Sequence, residues 1–203
     1  SCVRYGMPYQ LIGGLKFYQR QEIKDVVAYL RLMINPDDDI SLTRIINTPT
    51  RGIGQRTLDQ VLRMARNKEI SIISALRVIT SEKHKKEETG LASRPVKALA
   101  DFLKILDDLT SKKSELNLVD FIDLIMERTG YQRYLMDSAN VERRGEERIE
   151  NIKEFKSTAA EFALLGQQEG LPAFLESVSL ISDIDNLKER SEAITLITLH
   201  QAK

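Results

Sequence analysis

The sequence predicts a mainly α fold: a multi-helix subdomain of the inserted kind, with short β-strands at the two chain ends. Two observations carry this. Between Gln21 and Ile181, segment after segment repeats apolar residues with the 3.6-residue period of an amphipathic helix. The two β-like runs, Tyr9–Ile12 and Ala193–Leu199, stand only at the extremities, as expected of a helical unit that leaves a sheet and returns to it.

The elements follow in order. Tyr9–Ile12 reads as a short strand ended by Gly13 and Gly14. A helix is predicted over Gln21–Ile34, with Ile23, Val26, Val27, Leu30 and Ile34 on its buried face and Lys24 and Arg31 together on the opposite one. Asn35 to Asp39 stops it and supplies caps for a second helix, about Ser41–Ile46; the three adjacent acids lack the alternating spacing of a calcium loop. Ser71 caps a helix to about Ile79, and Thr80–Arg94 is polar and aperiodic, a loop that contains His84. Helices follow over Pro95–Ser111 and Asn117–Arg128, the latter closed by Thr129 and Gly130. Tyr131–Met136 makes a short helix and Glu146–Leu165 a long one. Gly166–Gly170 is a turn, Pro172 opens a helix to about Ile181, and Ser182–Arg190 is a polar connector.

The chain is organised around Ile45–Ala65, which holds a helix end, a turn with Gly52 and Gly54 around Ile53, and a helix start. Thr57 reads as the N-cap of that helix and Gln60 as the partner completing a capping box. Leu58, Val61, Leu62 and Ala65 form its apolar face. A glycine-flanked turn that opens a helix bares backbone N–H groups at the positive end of a helix dipole, which suits a phosphate. Arg51, Arg56, Arg63, Arg66 and Lys68 surround it, and Asp59 is the only acid between Arg44 and Lys68. A nucleic-acid backbone clamp is one reading of this pattern; an ordinary helix–turn–helix with solvated arginines is the other.

Composition bounds the rest. The chain has 203 residues, 42% hydrophobic and 30% charged, enough for one sizeable core. Its 30 Lys and Arg equal its 30 Asp and Glu, so any affinity for nucleic acid must be local. Cys2 is the single cysteine, which excludes an internal disulfide and fits a reducing, cytoplasmic setting. No apolar run approaches the roughly 20 residues of a membrane helix. Histidines occur only at positions 84 and 200, and neither a catalytic constellation nor a metal-ligand cluster nor a Gly-x-x-x-x-Gly-Lys-Ser/Thr loop is present, so no catalytic and no metal-binding residue is assigned. The first residue is Ser1 and the chain stops at Lys203 just after a β-like run, the expectation being a piece of a longer protein.

Five stretches, taken in order, resemble the UvrD/Rep/PcrA-type superfamily 1 DNA helicases: Pro8–Asp25, Tyr29–Asp39, Ile45–Gly54 (Ile-Ile-Asn-Thr-Pro-Thr-Arg-Gly-Ile-Gly), Arg148–Glu154 and Thr198–Lys203 (Thr-Leu-His-Gln-Ala-Lys). The resemblance spans the whole chain and is least distinctive over residues 66–145. It implies the 2B subdomain over residues 14–190, entered from the RecA-like 2A domain over 1–13 and returning to it over 191–203. It also implies that Gly52, Ile53 and Gly54, with Thr57 at the following helix start, contact duplex DNA backbone near an unwinding junction. Arg51, Arg56, Lys24 and Arg31 are the accompanying basic candidates. His200 and Lys203 fall in a motif that helps contact single-stranded DNA and couple it to ATP. The parent implied is a bacterial ATP-driven 3′–5′ helicase using ATP and Mg2+, with DNA and DNA-repair proteins as partners and no membrane. The piece itself is expected to bind neither cofactor and to hydrolyse nothing. A protein-docking or autoregulatory module of the same helicase is the competing role.

Overall fold

A computed structural model of the chain describes residues 9–11, 17–81, 90–137, 142–187 and 194–196, with side chains left aside at 9–11, 142–144, 167–168, 182–187 and 194–196. Nine helices among these residues carry the fold: α1 (Gln21–Ile34), α2 (Asp39–Ile45), α3 (Gln55–Lys68), α4 (Ile72–Thr80), α5 (Ser93–Lys112), α6 (Leu118–Arg128), α7 (Tyr131–Asp137), α8 (Glu142–Ala163) and α9 (Gln167–Leu187). The protein is mainly α. At the chain ends a three-residue ladder, β1 (Tyr9–Leu11) beside β2 (Ile194–Leu196), runs parallel, with Tyr9 opposite Ile194 and Leu11 opposite Leu196. This pairing is too short to form a layer. The longer strands read from the sequence are not seen at full length, because Ile12, Ala193 and residues 197–199 lie outside the described residues.

Helix α1 is the hub. It packs against α2 on one side and against α6, α8 and α9 on the other, while α3, α4 and α5 stack outward from α2 through α4. One continuous apolar core runs through both halves. Being wrapped on most sides, α1 buries Glu22, Asp25, Tyr29, Leu32 and Met33 besides its expected stripe, and Ile34 is 46% exposed, contrary to the periodicity.

The acidic triplet does cap helices, and more than one. Asp38 Oδ1 accepts from the Ser41 N–H (3.0 Å) and Oδ2 from the Ser41 hydroxyl (2.6 Å), so α2 starts two residues earlier than predicted. Asp39 Oδ1 accepts from the Ile72 N–H at 2.9 Å and so caps α4 from across the fold, beside Ser71. Burial pushes the Asp38 carboxyl up, but the Ser41 hydrogen bonds and the nearby Arg31 charge outweigh it and hold it below the usual carboxylate range. Asp38→Ala is expected to cost about 1 kcal/mol. Because the folded carboxyl titrates below the unfolded one, the cap's contribution is present at neutral pH and lost as pH falls below about 4. Urea melts of both proteins at neutral and acid pH would show the difference shrinking; a constant difference would remove the carboxylate from the explanation.

Two further expectations need correction. Helix α9 begins at Gln167 rather than Pro172 and continues to Leu187 through the predicted connector. Pro172 sits inside it, removing a single N–H bond in its second turn. The α8–α9 hairpin closes tightly: a Cβ at Gly170 would lie 2.6 Å from the Phe162 carbonyl oxygen, so glycine is required there. Of the predicted 80–94 loop, residues 82–89 with His84 lie outside the described residues, and Leu91 is buried in the core. No described helix is long and apolar enough to cross a membrane.

Candidate nucleic-acid interface

The loop from Ile46 to Gly54 leaves α2, whose last carbonyls have no partner in their own helix. Arg51 supplies them from within. Its Nη1 donates to the carbonyls of Ile45 (2.9 Å), Pro49 (3.1 Å) and Ile46 (3.4 Å), and its Nη2 donates to the Tyr29 hydroxyl (2.8 Å). The guanidinium also lies over the Phe102 ring at 5.2 Å. Tyr29, fully buried in α1, donates its own hydroxyl to the Thr48 carbonyl at 3.1 Å. Burial pushes this phenol up, against the pull of Arg51, so it stays protonated and able to donate. Asn47 fastens the other strand of the loop: its Oδ1 accepts from the N–H groups of Arg51 (2.8 Å) and Ile53 (3.2 Å).

With Arg51 and Ile53 held inside, the turn presents backbone outward. Gly52 adopts φ +77°, a region costly for any other residue, and a Cβ at Gly52 or Gly54 would meet no atom of a described residue within 4 Å. Gly52, Gly54, Gln55 and Arg56 are exposed, and among the described residues no protein acceptor takes their backbone N–H groups. Gly54 is the N-cap of α3 and contributes no side-chain bond, and the first turn holds no acid. The positive end of the helix is thus left open to an anion. Asp59, the only acid between Arg44 and Lys68 in the sequence, accepts from Gln55 Nε2 at 2.9 Å. Arg56 and Arg63, seven residues apart on one exposed face of α3, extend the positive surface.

The residues singled out in the sequence therefore separate into groups. Gly52, Gly54 and Arg56 meet at the exposed tip. Ile53 anchors it from the core, and Arg51 is turned inward to the freed carbonyls instead of facing solvent. Thr57 is not the N-cap: the cap is Gly54, three residues earlier, Thr57 is buried, and its N–H donates to the Gly54 carbonyl at 3.0 Å. Gln60 makes no capping box and instead approaches the Gly90 carbonyl at 3.5 Å. Lys24 and Arg31 line a different hollow of about 250 Å3, between α1, α2 and α9, together with Arg44. His200 and Lys203 lie outside the described residues. Sequence reasoning missed Asn47 and Tyr29; the Asn-Thr-Pro order was a usable signal for the first, since asparagine side chains bond the backbone of turns. No group of three or more His, Cys, Asp or Glu among the described residues could hold a metal ion.

The profile of the UvrD-like helicase C-terminal domain matches residues 3–203. The chain is 37% identical over 209 residues to the ATP-dependent DNA helicase PcrA of Bacillus subtilis, covering 100% of this chain and 27% of that protein. It is 38% identical over 216 residues to the ATP-dependent DNA helicase UvrD1 of Mycobacterium tuberculosis, covering 99% and 27%. To DNA helicase II of Escherichia coli it is 35% identical over 206 residues, covering 100% and 28%. The chain spans about a quarter of the length of these curated relatives.

Proposed function

The chain belongs to the UvrD-like helicase C-terminal domain family, and from that premise we propose that it is the duplex-contacting 2B subdomain of an ATP-driven 3′–5′ DNA helicase. Residues 14–190 form the subdomain, and 1–13 and 191–203 are its outgoing and returning connections to 2A. The parallel pairing of β1 with β2 supports an insertion, since it sets the two connections side by side. ATP and Mg2+ belong to the rest of the parent, since this sequence holds no phosphate-binding Gly-x-x-x-x-Gly-Lys-Ser/Thr loop.

The observation that carries the duplex reading is the exposed tip Gly52–Arg56, where unpartnered N–H groups, an uncapped helix start and a lysine- or arginine-rich flank coincide. Backbone N–H groups read phosphate and not sequence, so the contact positions the DNA without selecting it. Affinity for duplex is then independent of sequence, sensitive to salt, and weak for one module, in the range of roughly 10⁻⁴ to 10⁻⁶ M.

Gly54→Asp and Arg56→Ala test this together. Aspartate is at least as good an N-cap as glycine, and no described residue crowds a side chain there, so stability is expected to hold or rise. Its charge would repel phosphate, and duplex affinity should fall for any sequence. Arg56→Ala is expected to lower the salt slope by about one. Fluorescence titrations of a labelled duplex at several salt concentrations measure both. Unchanged binding in these folded variants would place the duplex contact elsewhere and favour a protein-docking role.

A further inference from the structure

The interior of the Ile46–Gly54 loop does work that its surface does not reveal, and it involves residues that never reach a ligand. We infer that Arg51, Asn47 and Tyr29 are positioning residues for the phosphate-contacting tip: they fix its backbone from behind, so that the N–H groups of Gly52, Gly54, Gln55 and Arg56 stay aimed outward. This inference rests on the duplex reading of the tip and concerns how that tip is held.

Three features of the geometry support it. First, Arg51 draws together carbonyls from three points of the chain, Ile45 and Ile46 at the end of α2 and Pro49 in the loop, while its second nitrogen engages Tyr29 of the hub helix. The guanidinium serves the carbonyls from one nitrogen and Tyr29 from the other, two places that the single nitrogen of an ammonium cannot occupy together. Its charge also lies favourably at the C-terminal end of α2. Second, Asn47 Oδ1 takes the N–H groups of Arg51 and Ile53, the two residues alternating with Gly52 and Gly54. Satisfying alternate N–H groups inward turns the intervening ones outward. Third, the Tyr29 hydroxyl both accepts from Arg51 and donates to Thr48, linking the loop to the buried centre of α1. A loop tied at these points loses little freedom when it meets a phosphate, and that saving appears as affinity.

Arg51→Lys separates positioning from simple charge. If Arg51 were a phosphate contact, lysine would keep the charge, and binding would survive. As a positioning residue it is expected to lose on the order of tenfold in duplex affinity, equivalent to about 1.4 kcal/mol, with either lysine or alanine. Asn47→Ala removes no charge, so affinity should fall while the salt slope stays that of the unaltered chain, in contrast to Arg56→Ala. Amide exchange measured by NMR should quicken at Arg51 and Ile53 in Asn47→Ala. If Asn47→Ala does not fold, Tyr29→Phe keeps the ring in the core and removes only the hydroxyl, and it is expected to weaken duplex binding in the same direction at an unchanged salt slope.

The probe throughout is a fluorescent blunt duplex, titrated against the intact 203-residue chain whose fold is checked by thermal melting. Binding of Arg51→Lys at the level of the unaltered chain overturns the inference, as does Tyr29→Phe or folded Asn47→Ala with unaltered affinity. If Gly54→Asp and Arg56→Ala also bind normally, the duplex reading itself fails. If those two lose affinity while Arg51→Lys, Asn47→Ala and Tyr29→Phe do not, only the positioning inference fails.

Discussion

Asp25→Ala is expected to lower the unfolding free energy by about 3 kcal/mol, with a fall in melting temperature on the order of 10 °C for a chain of this length. Asp25 lies on the hub helix and is only 2% exposed. Its Oδ1 accepts from Arg44 Nε of α2 at 2.6 Å, and its Oδ2 accepts from the Tyr131 hydroxyl at 2.6 Å. One carboxylate thus joins α1, α2 and α7. Burial holds the Asp25 carboxyl above the usual carboxylate range, the hydrogen bond from Tyr131 and the Arg44 charge and hydrogen bond offsetting only part of the rise. Burial also pushes the Tyr131 phenol up, so that group remains a donor. Alanine would strand the buried Tyr131 hydroxyl, and a buried polar group left unpaired costs more than the bond was worth. Arg44 is 35% exposed and can recover water, which keeps the total below the upper end for a broken buried pair. Asp25→Asn retains an acceptor for Tyr131 and should cost about half as much. Urea denaturation of the two variants decides it: equal losses, or a loss under about 1 kcal/mol for alanine, would make the bridge peripheral.

That bridge also marks where the sequence stops being readable. The bounds of helix α1 and the caps Ser71 and Gly130 are legible in the sequence, because those signals act within a few residues. The mainly α character follows from the same short-range periodicity. Asp25 and Tyr131 are 106 residues apart, and nothing in the α1 pattern announces that two of its acids are buried. Glu22 is the other; it accepts from Asn151 Nδ2 of α8 at 2.6 Å, and Arg20 donates to the same asparagine. The candidate site was half legible for the same reason. Glycine at positions 52 and 54 describes an exposed turn, and Gly52 and Gly54 are exposed in the structure. Arg51 looked like part of that surface, yet its acceptors are carbonyls freed where α2 ends, and only the folded loop brings them within reach. Thr57 was misread because a threonine followed three residues later by glutamine is a sound capping pattern, while the helix had already begun behind an uncapped Gly54.

Phe174→Ala is expected to cost about 4 kcal/mol, the loss for emptying a fully buried phenylalanine site. Phe174 has no exposed surface and sits between two rings of α8: Phe155 at 5.1 Å and 63°, and Phe162 at 5.4 Å and 62°, both edge-on. Such edge contacts add roughly 0.5–1.5 kcal/mol beyond buried area. The two helices already run close beside this site, since a Cβ at Gly170 would lie 2.6 Å from the Phe162 carbonyl oxygen, which leaves little room for them to close over the space. A cavity that cannot relax sits at the costly end of such substitutions. Phe174→Leu, which restores most of the volume and loses the ring geometry, should cost under about 1.5 kcal/mol. The cluster holds α9 against α8, whereas the Gly52–Arg56 tip is held by Asn47, Arg51 and Tyr29, none of which belongs to it. At a temperature where Phe174→Ala remains folded, duplex affinity should therefore match the unaltered chain. Phe155→Ala combined with Phe174→Ala should be non-additive by at least about 0.5 kcal/mol, since the rings share one contact. Strict additivity would mean that the two rings do not act as one contact, and a loss of duplex affinity in the folded Phe174→Ala protein would mean that the aromatic cluster also supports the Gly52–Arg56 tip.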